Sequence, residues 1–235
     1  LLVLLVSIGF FMQGLDTTIV NTALPAMAAS LNEDPLQMHS VVVAYVLAVA
    51  ACIPLSGWLA DRFGVRNTYF SAIIIFTLAS LGCGFSESVN ELLFYRVLQG
   101  IGGALLLPVG RLAMLKVIPR TQFLSAMSLM SLAGLIGPLI GPTLGGWLVE
   151  VSTWHWIFLI NLPMGLLGVL ISFKAMPNVT EQNVPRFDFW GFILLVITMA
   201  GLSLGIENFA SPHLTLWWSM GLIVLSLVCL LYTSP

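Results

Sequence analysis

The sequence predicts an all-α polytopic membrane protein, and three observations lead there. First, 59% of the 235 residues are hydrophobic and only 8% are charged, against roughly 25% charged in a soluble domain. Second, the apolar residues gather into runs of about 20, the length of a bilayer-crossing helix. A membrane barrel would instead alternate apolar and polar residues over strands of about 10. Third, the few charges fall mostly between those runs, and their signs alternate from one turn to the next.

Eight spans follow from the runs, at about 3–28, 39–60, 67–86, 91–115, 122–149, 155–176, 188–208 and 214–232. No stretch remains for a soluble domain. The chain opens inside the first span without Met and stops at Leu231-Tyr232-Thr233-Ser234-Pro235, so a fragment of a longer protein is expected. The first run is too long for a cleaved signal peptide, and further spans follow it. Cys52, Cys83 and Cys229 each fall within an apolar span, without metal-site spacing. They are expected to be free thiols acting as small hydrophobes.

Charge predicts orientation. Arg62 and Arg66 follow span two, Lys116 and Arg120 follow span four, and Lys174 and Arg186 flank the connection after span six. The turns after spans one, three, five and seven carry Glu33, Asp34, Glu87, Glu91, Glu150 and Glu207, and no basic residue. Lys and Arg stay on the cytoplasmic side, so the even turns and the N-terminus are expected there. Trp154, Trp156, Trp217 and Trp218 fall at the opposite boundaries, as an aromatic belt would. A net charge of −2 without a basic patch offers nothing to nucleic acid.

Four constellations carry chemistry. Asp16 lies near the centre of span one, where a charge costs about 2.5–3.5 kcal/mol on insertion scales. Gln13, Asp16, Thr17 and Asn21 share an arc of the helix, with Thr18 just outside it. This polar stripe reads as a proton-titrating carboxylate on a substrate path, or as a hydrogen bond or salt bridge that fixes helix packing. In span four, Arg96, Gln99, Gly100, Gly103, Gly110 and Arg111 share a face. The Arg96 guanidinium cannot deprotonate, so it must be paired or hydrated, unless it snorkels. Asp16 is the only acid deep in a span. An opposite charge nearby favours its ionised form and burial favours the protonated form. Arg111 lies about 22 Å further along span four, near the cytoplasmic end, where snorkelling is expected.

In span five, Gly134, Gly137, Pro138, Gly141, Pro142, Gly145 and Gly146 spread over half of one helix face. Glycines four apart let another helix approach closely, and prolines remove backbone donors and bend a helix. The pattern reads as a flexing hinge or as a static packing seam. Finally, Gly57-Trp58-Leu59-Ala60-Asp61-Arg62-Phe63-Gly64-Val65-Arg66-Asn67 reads as a tight turn between spans two and three. Gly57 and Gly64 would supply its backbone freedom. Arg62 and Arg66 suit the positive-inside rule. Asp61 does not, and is expected to accept from the amides of a neighbouring helix start. No catalytic or phosphate-binding signature appears. His39, His155 and His213 lie apart in separate segments, so an enzyme is not expected.

Together these stretches resemble the major facilitator superfamily, in particular its fourteen-helix drug:proton antiporter branch of the EmrB/QacA type. Leu15 to Pro25 resembles the first-helix motif of that branch, and Gly57 to Asn67 the loop between helices two and three. Arg96 to Gly103 resembles the fourth-helix motif linked to proton transfer, and Gly134 to Gly146 the fifth-helix antiporter motif. Trp154-His155-Trp156-Ile157-Phe158-Leu159-Ile160-Asn161-Leu162-Pro163 is similar to a sixth-helix stretch of the branch. Val65 departs from the basic residue that the family loop often has.

The resemblance implies alternating access between two six-helix halves, each built from inverted three-helix repeats. Residues 1–176 would form the N-terminal half, 177–187 a short cytoplasmic connection, and 188–235 two additional transmembrane helices. The missing C-terminal half of the same protein would be the partner. The implied function is proton-coupled efflux of amphipathic small molecules at a bacterial inner membrane, driven by the proton gradient with no cofactor and no metal. Asp16, Arg96, Gln13, Thr17, Asn21 and Gln99 would form the coupling and substrate site. Gly57, Asp61, Arg62, Gly64 and Arg66 would form a cytoplasmic latch, and the span-five glycines and prolines the hinge. A symporter or uniporter on the same fold, and a non-transporting membrane scaffold or sensor, are the alternatives.

Overall fold

A computed structural model describes residues 1–176, Thr180, Val184 and 187–210. The span expected over 214–232 lies outside the described residues, as do most of the connection, Arg186, Trp217, Trp218, His213 and Cys229. Among the described residues the chain is helical: α1 Leu2–Leu31, α2 Pro35–Cys52, α3 Leu55–Phe63, α4 Val65–Gly84, α5 Val89–Val117, α6 Arg120–Val151, α7 Trp156–Leu159, α8 Asn161–Ala175 and α9 Phe189–Ala210.

Five of these helical stretches are long and apolar enough to cross a membrane, or six if α2 and α3 count as one bent span. Local chemistry sets their ends. Asn32 stops α1 in the left-handed conformation, φ 56°, which Asn tolerates at a C-terminal cap. Ser88 opens α5 by accepting from the Glu91 amide at 3.4 Å, and Glu91 in turn accepts from the Glu87 amide at 3.0 Å, a variant of the capping box.

One span is bent where the sequence suggests a straight helix. Span two bends by 57° between α2 and α3. Pro54 has no N–H and its ring collides with the carbonyl four residues back, so α2 ends at Cys52. Span six stays one stretch, Trp156–Ala175, with a local turn at Ile160 between α7 and α8. Pro163 falls in the first turn of α8, where a missing N–H costs little. Its ring would clash with the Leu159 carbonyl, which ends α7 there.

The stretch expected as an eleven-residue turn is mostly helix. Gly57 to Phe63 belong to α3, and only Gly64 lies between α3 and α4. Gly64 adopts φ 87° and ψ 148°, a region essentially closed to residues with a Cβ. Gly57 is helical with open space around it, so backbone freedom is needed at Gly64 alone. Thr68 Oγ1 donates to the Leu59 carbonyl at 3.0 Å and Asn67 Nδ2 to the Phe63 carbonyl at 3.0 Å, which tie the corner together.

Close helix approaches are made at glycines. A Cβ on Gly137 would lie 2.7 Å from the Leu15 nitrogen and 2.8 Å from the Phe11 oxygen. Gly141 abuts Thr18, and Gly145 abuts Ile19 and Thr22, so α6 seats along α1. Gly100 brings α5 onto α2 at Tyr45, and Gly102 brings it onto α4 at Ala72 and Phe76. The apolar core falls into two clusters. One gathers Leu2, Val6, Ala60, Val65, Ala113 and Met114 at the end carrying Arg62, Arg66, Lys116, Arg120 and Lys174. The other gathers Ala28, Met38, Cys83, Leu92 and Trp154 at the end carrying Glu33, Glu87, Glu91 and Glu150. Trp154 is 3% exposed, so it is core and no part of a lipid-facing belt, whereas Trp156 is exposed.

Candidate functional site

A buried polar cluster sits within the bundle. It holds the charged residues Asp16 and Arg96, 0% and 1% exposed. Asp16 is carried by the middle of α1 and Arg96 by the acidic-end half of α5. Arg96 Nη1 donates to Asp16 Oδ2 at 2.7 Å. The same nitrogen donates to Gln99 Oε1 at 2.6 Å, and Arg96 Nε to the Val41 carbonyl of α2 at 3.3 Å. The guanidinium face lies over the Tyr45 ring, 4.2 Å from its centroid, with Phe158 at 5.7 Å. Planar cations are attracted to such faces.

The carboxylate is equally engaged. Asp16 Oδ1 accepts from Gln99 Nε2 at 2.8 Å and from Asn161 Nδ2 at 3.5 Å. Gln99 Nε2 and Asn161 Nδ2 also donate to Ser80 Oγ, at 2.7 and 3.5 Å. Arg96 and Gln99 are three residues apart, so one helix face delivers both. Six elements, α1, α2, α4, α5, α7 and α8, thus converge on one ion pair. Neither charge is tolerable alone in this setting, because desolvation of a lone buried ion outweighs what neutral neighbours return.

The pairing of Asp16 with Arg96 and Gln99 is the juxtaposition anticipated from the sequence. The rest of the expected stripe is not. Gln13 is buried, yet its Oε1 has no hydrogen-bond partner. Thr17 and Asn21 lie on the exposed side of α1, bonded only to their own helix at the Gly14 and Thr17 carbonyls. Five residues at roughly 100° each set Asp16 and Asn21 about 140° apart. Once α1 is packed, that arc spans two different environments. Ser80, Asn161 and Tyr45 were missed, because single small amides, hydroxyls and tyrosines in apolar spans carry no distinguishing signal.

The other constellations are placed differently from their expected roles. Asp61 lies in the last turn of α3 and accepts no hydrogen bond among the described residues, so the anticipated amide contact is not made. Arg62 is exposed, and the Arg66 guanidinium lies 5.6 Å over the Phe173 ring. Arg111 is exposed, 5.5 Å over the Phe10 ring, and borders a surface groove of about 340 Å³ with Ser56, Gly57 and Pro108. On α6 the helix runs unbroken through Pro138 and Pro142. Gly134 packs on Phe10, and Pro138 lies against Gly14. Gly146 faces open space and is outside the seam.

Comparisons with known proteins agree with this architecture. A family model described as the Major Facilitator Superfamily matches residues 6–235. The chain is 56% identical over 227 residues to the MdtD protein of Pectobacterium atrosepticum, covering 97% of this chain and 48% of that protein. It is 58% identical over 211 residues to the MdtD protein of Cronobacter sakazakii, covering 90% and 45%. Both are named for multidrug resistance. The chain spans about half the length of the curated relatives it matches. Among solved structures, the POT family transporter PepTSo superposes with a TM-score of 0.70 at 13% identity, over 99% of this chain and 51% of that one. A D-xylose-proton symporter superposes with a TM-score of 0.62 at 17% identity, over 99% and 66%. At these identities the likeness concerns the fold.

Proposed function

We propose, on the premise that this chain belongs to the major facilitator superfamily, that the longer protein is a proton-coupled exporter of amphipathic small molecules working by alternating access. The observation that carries the reading is the fully buried Asp16–Arg96 pair. Its carboxylate has two available states. Ionised, it is held by Arg96 and Gln99; protonated, it leaves the buried Arg96 without its countercharge, so that state favours a conformation in which the guanidinium is hydrated or paired anew. A group with two such states, coupled to helices that move, exchanges a proton for a conformational change. The names of the MdtD relatives support a drug-like substrate.

Residues 1–176 would be the N-terminal transport half, and the exposed face of α1 with Thr17 and Asn21 would meet a cavity shared with the second half. The basic turns would face the cytoplasm of a bacterial inner membrane. The α1–α6 glycine seam would be the surface along which helices shift. Asp61, Arg62 and Arg66 would latch one conformation, with Asp61 disengaged in the state described here.

Replacing Asp16→Asn in the full-length protein removes the proton-binding group and keeps the shape. It is expected to abolish efflux driven by a pH gradient in inverted vesicles while leaving the detergent-purified protein folded. Undiminished gradient-driven efflux in that variant would overturn the reading. The direction of proton movement on adding substrate separates antiport from symport.

A further inference from the structure

We infer that Asn161 is the positioning residue that receives the proton-bearing oxygen of Asp16, a role that rests on the proposed protonation of that acid. The argument is an inventory of acceptors. A buried carboxylic acid needs an acceptor for its O–H, since an unsatisfied buried donor is costly. Arg96 has donors only. Gln99 Oε1 is taken by Arg96 Nη1 at 2.6 Å, and Gln99 presents its Nε2 donor to Asp16. Ser80 Oγ already accepts from Gln99 Nε2 at 2.7 Å. Among the side chains hydrogen-bonded to Asp16, one acceptor is unused. It is Asn161 Oδ1, on a residue that is 0% exposed and without a hydrogen-bond partner at that atom.

Asn161 is placed for the exchange. Its Nδ2 reaches Asp16 Oδ1 and Ser80 Oγ only at 3.5 Å, at the long limit of a hydrogen bond. Little therefore opposes rotation about χ2, a broad, roughly two-fold torsion for Asn. A half-turn replaces the weak donor with the free oxygen. The amide then donates to an ionised Asp16 and accepts from a protonated one. Its position at the first residue of α8, just after the local turn at Ile160, couples that half-turn to a helix start. The other titratable or charged groups around Asp16 are Arg96 on α5, Tyr45 on α2, whose hydroxyl is itself unpartnered, and Cys83 on α4, 3.9 Å from Gln99 Oε1. On the α6 and α8 faces that meet this part of α1 the near residues are Gly137, Pro138 and Asn161, and none adds a charge.

Infrared titration of the full-length protein tests this, by following the protonated-carboxyl band that Asp16→Asn removes. In Asn161→Leu the pH at which that band is half-formed is expected to fall by about one unit, a tenfold change, because only the protonated form loses a good partner. Asn161→Ser, which restores a small acceptor and is the milder change for folding, is expected to fall by less. An unchanged midpoint in both, or a rise, would show that Asn161 serves the ionised acid or only packing, and would overturn the inference. A shift in Gln13→Leu without one in Asn161→Leu would hand the role to Gln13 and overturn it equally. If the wild-type band never titrates, the proton-coupling reading fails and this role fails with it. If the band titrates and Asn161 does not move it, only this role fails.

Discussion

At the scale of single residues, the ion pair decides most. Arg96 satisfies Asp16, Gln99 and the Val41 carbonyl at once while lying flat on Tyr45. A lysine ammonium is a compact point charge that does not reproduce this planar fork. Arg96→Lys is therefore expected to keep the protein folded but to lower its unfolding temperature and impair gradient-driven efflux. Arg96→Gln leaves Asp16 buried without a countercharge, and breaking such a pair costs about 3–5 kcal/mol. Thermal unfolding of the detergent-solubilised protein at neutral pH should rank wild type above Arg96→Lys and that above Arg96→Gln. Equal unfolding temperatures for Arg96→Lys and Arg96→Gln would argue that charge is not what Arg96 supplies.

At the scale of elements, glycines and prolines do the shaping. The α1–α6 contact brings helix backbones together at Gly137, and the nearest obstacles to a Cβ there are backbone atoms of α1. Such atoms cannot rotate away, so Gly137→Ala is expected to destabilise by about 1–3 kcal/mol, as overpacking does. Gly146→Ala, with nothing within 4 Å, is expected to be near neutral. Comparing their unfolding temperatures checks the seam, and equal effects would refute it. The spacing of Gly137, Gly141 and Gly145 made this seam readable from the chain, although spacing could not name α1 as its partner. The bend before Leu55 was less legible. A proline within an apolar run is tolerated in some helices, as Pro25, Pro108, Pro138 and Pro142 are here. Whether it ends a helix depends on the packing of the turn around it.

At the scale of the whole molecule, α1 is the dividing element. Its Asp16 side is sealed by α4, α5 and α8, while Thr17 and Asn21 stand exposed. In the full-length protein that exposed side is expected to line a water-filled cavity. Thr17→Cys should react with a membrane-impermeant thiol reagent in a substrate-dependent manner, and Ile19→Cys, fully buried, should not. Equal labelling of the two would refute this division. The amino-acid sequence alone determined the helical membrane class, six of the spans to within a few residues, their alternating charge, and the presence of one acid and one arginine too deep to go unpaired. These are properties of length, composition and local spacing, and the bilayer enforces them whatever the packing. Only the tertiary structure decided which face of α1 is buried, that Ser80 and Asn161 complete the pair, and that Thr17 and Asn21 do not. Those outcomes depend on which helices meet across 80 to 145 residues of chain, and helix periodicity within one span holds no information about its neighbours.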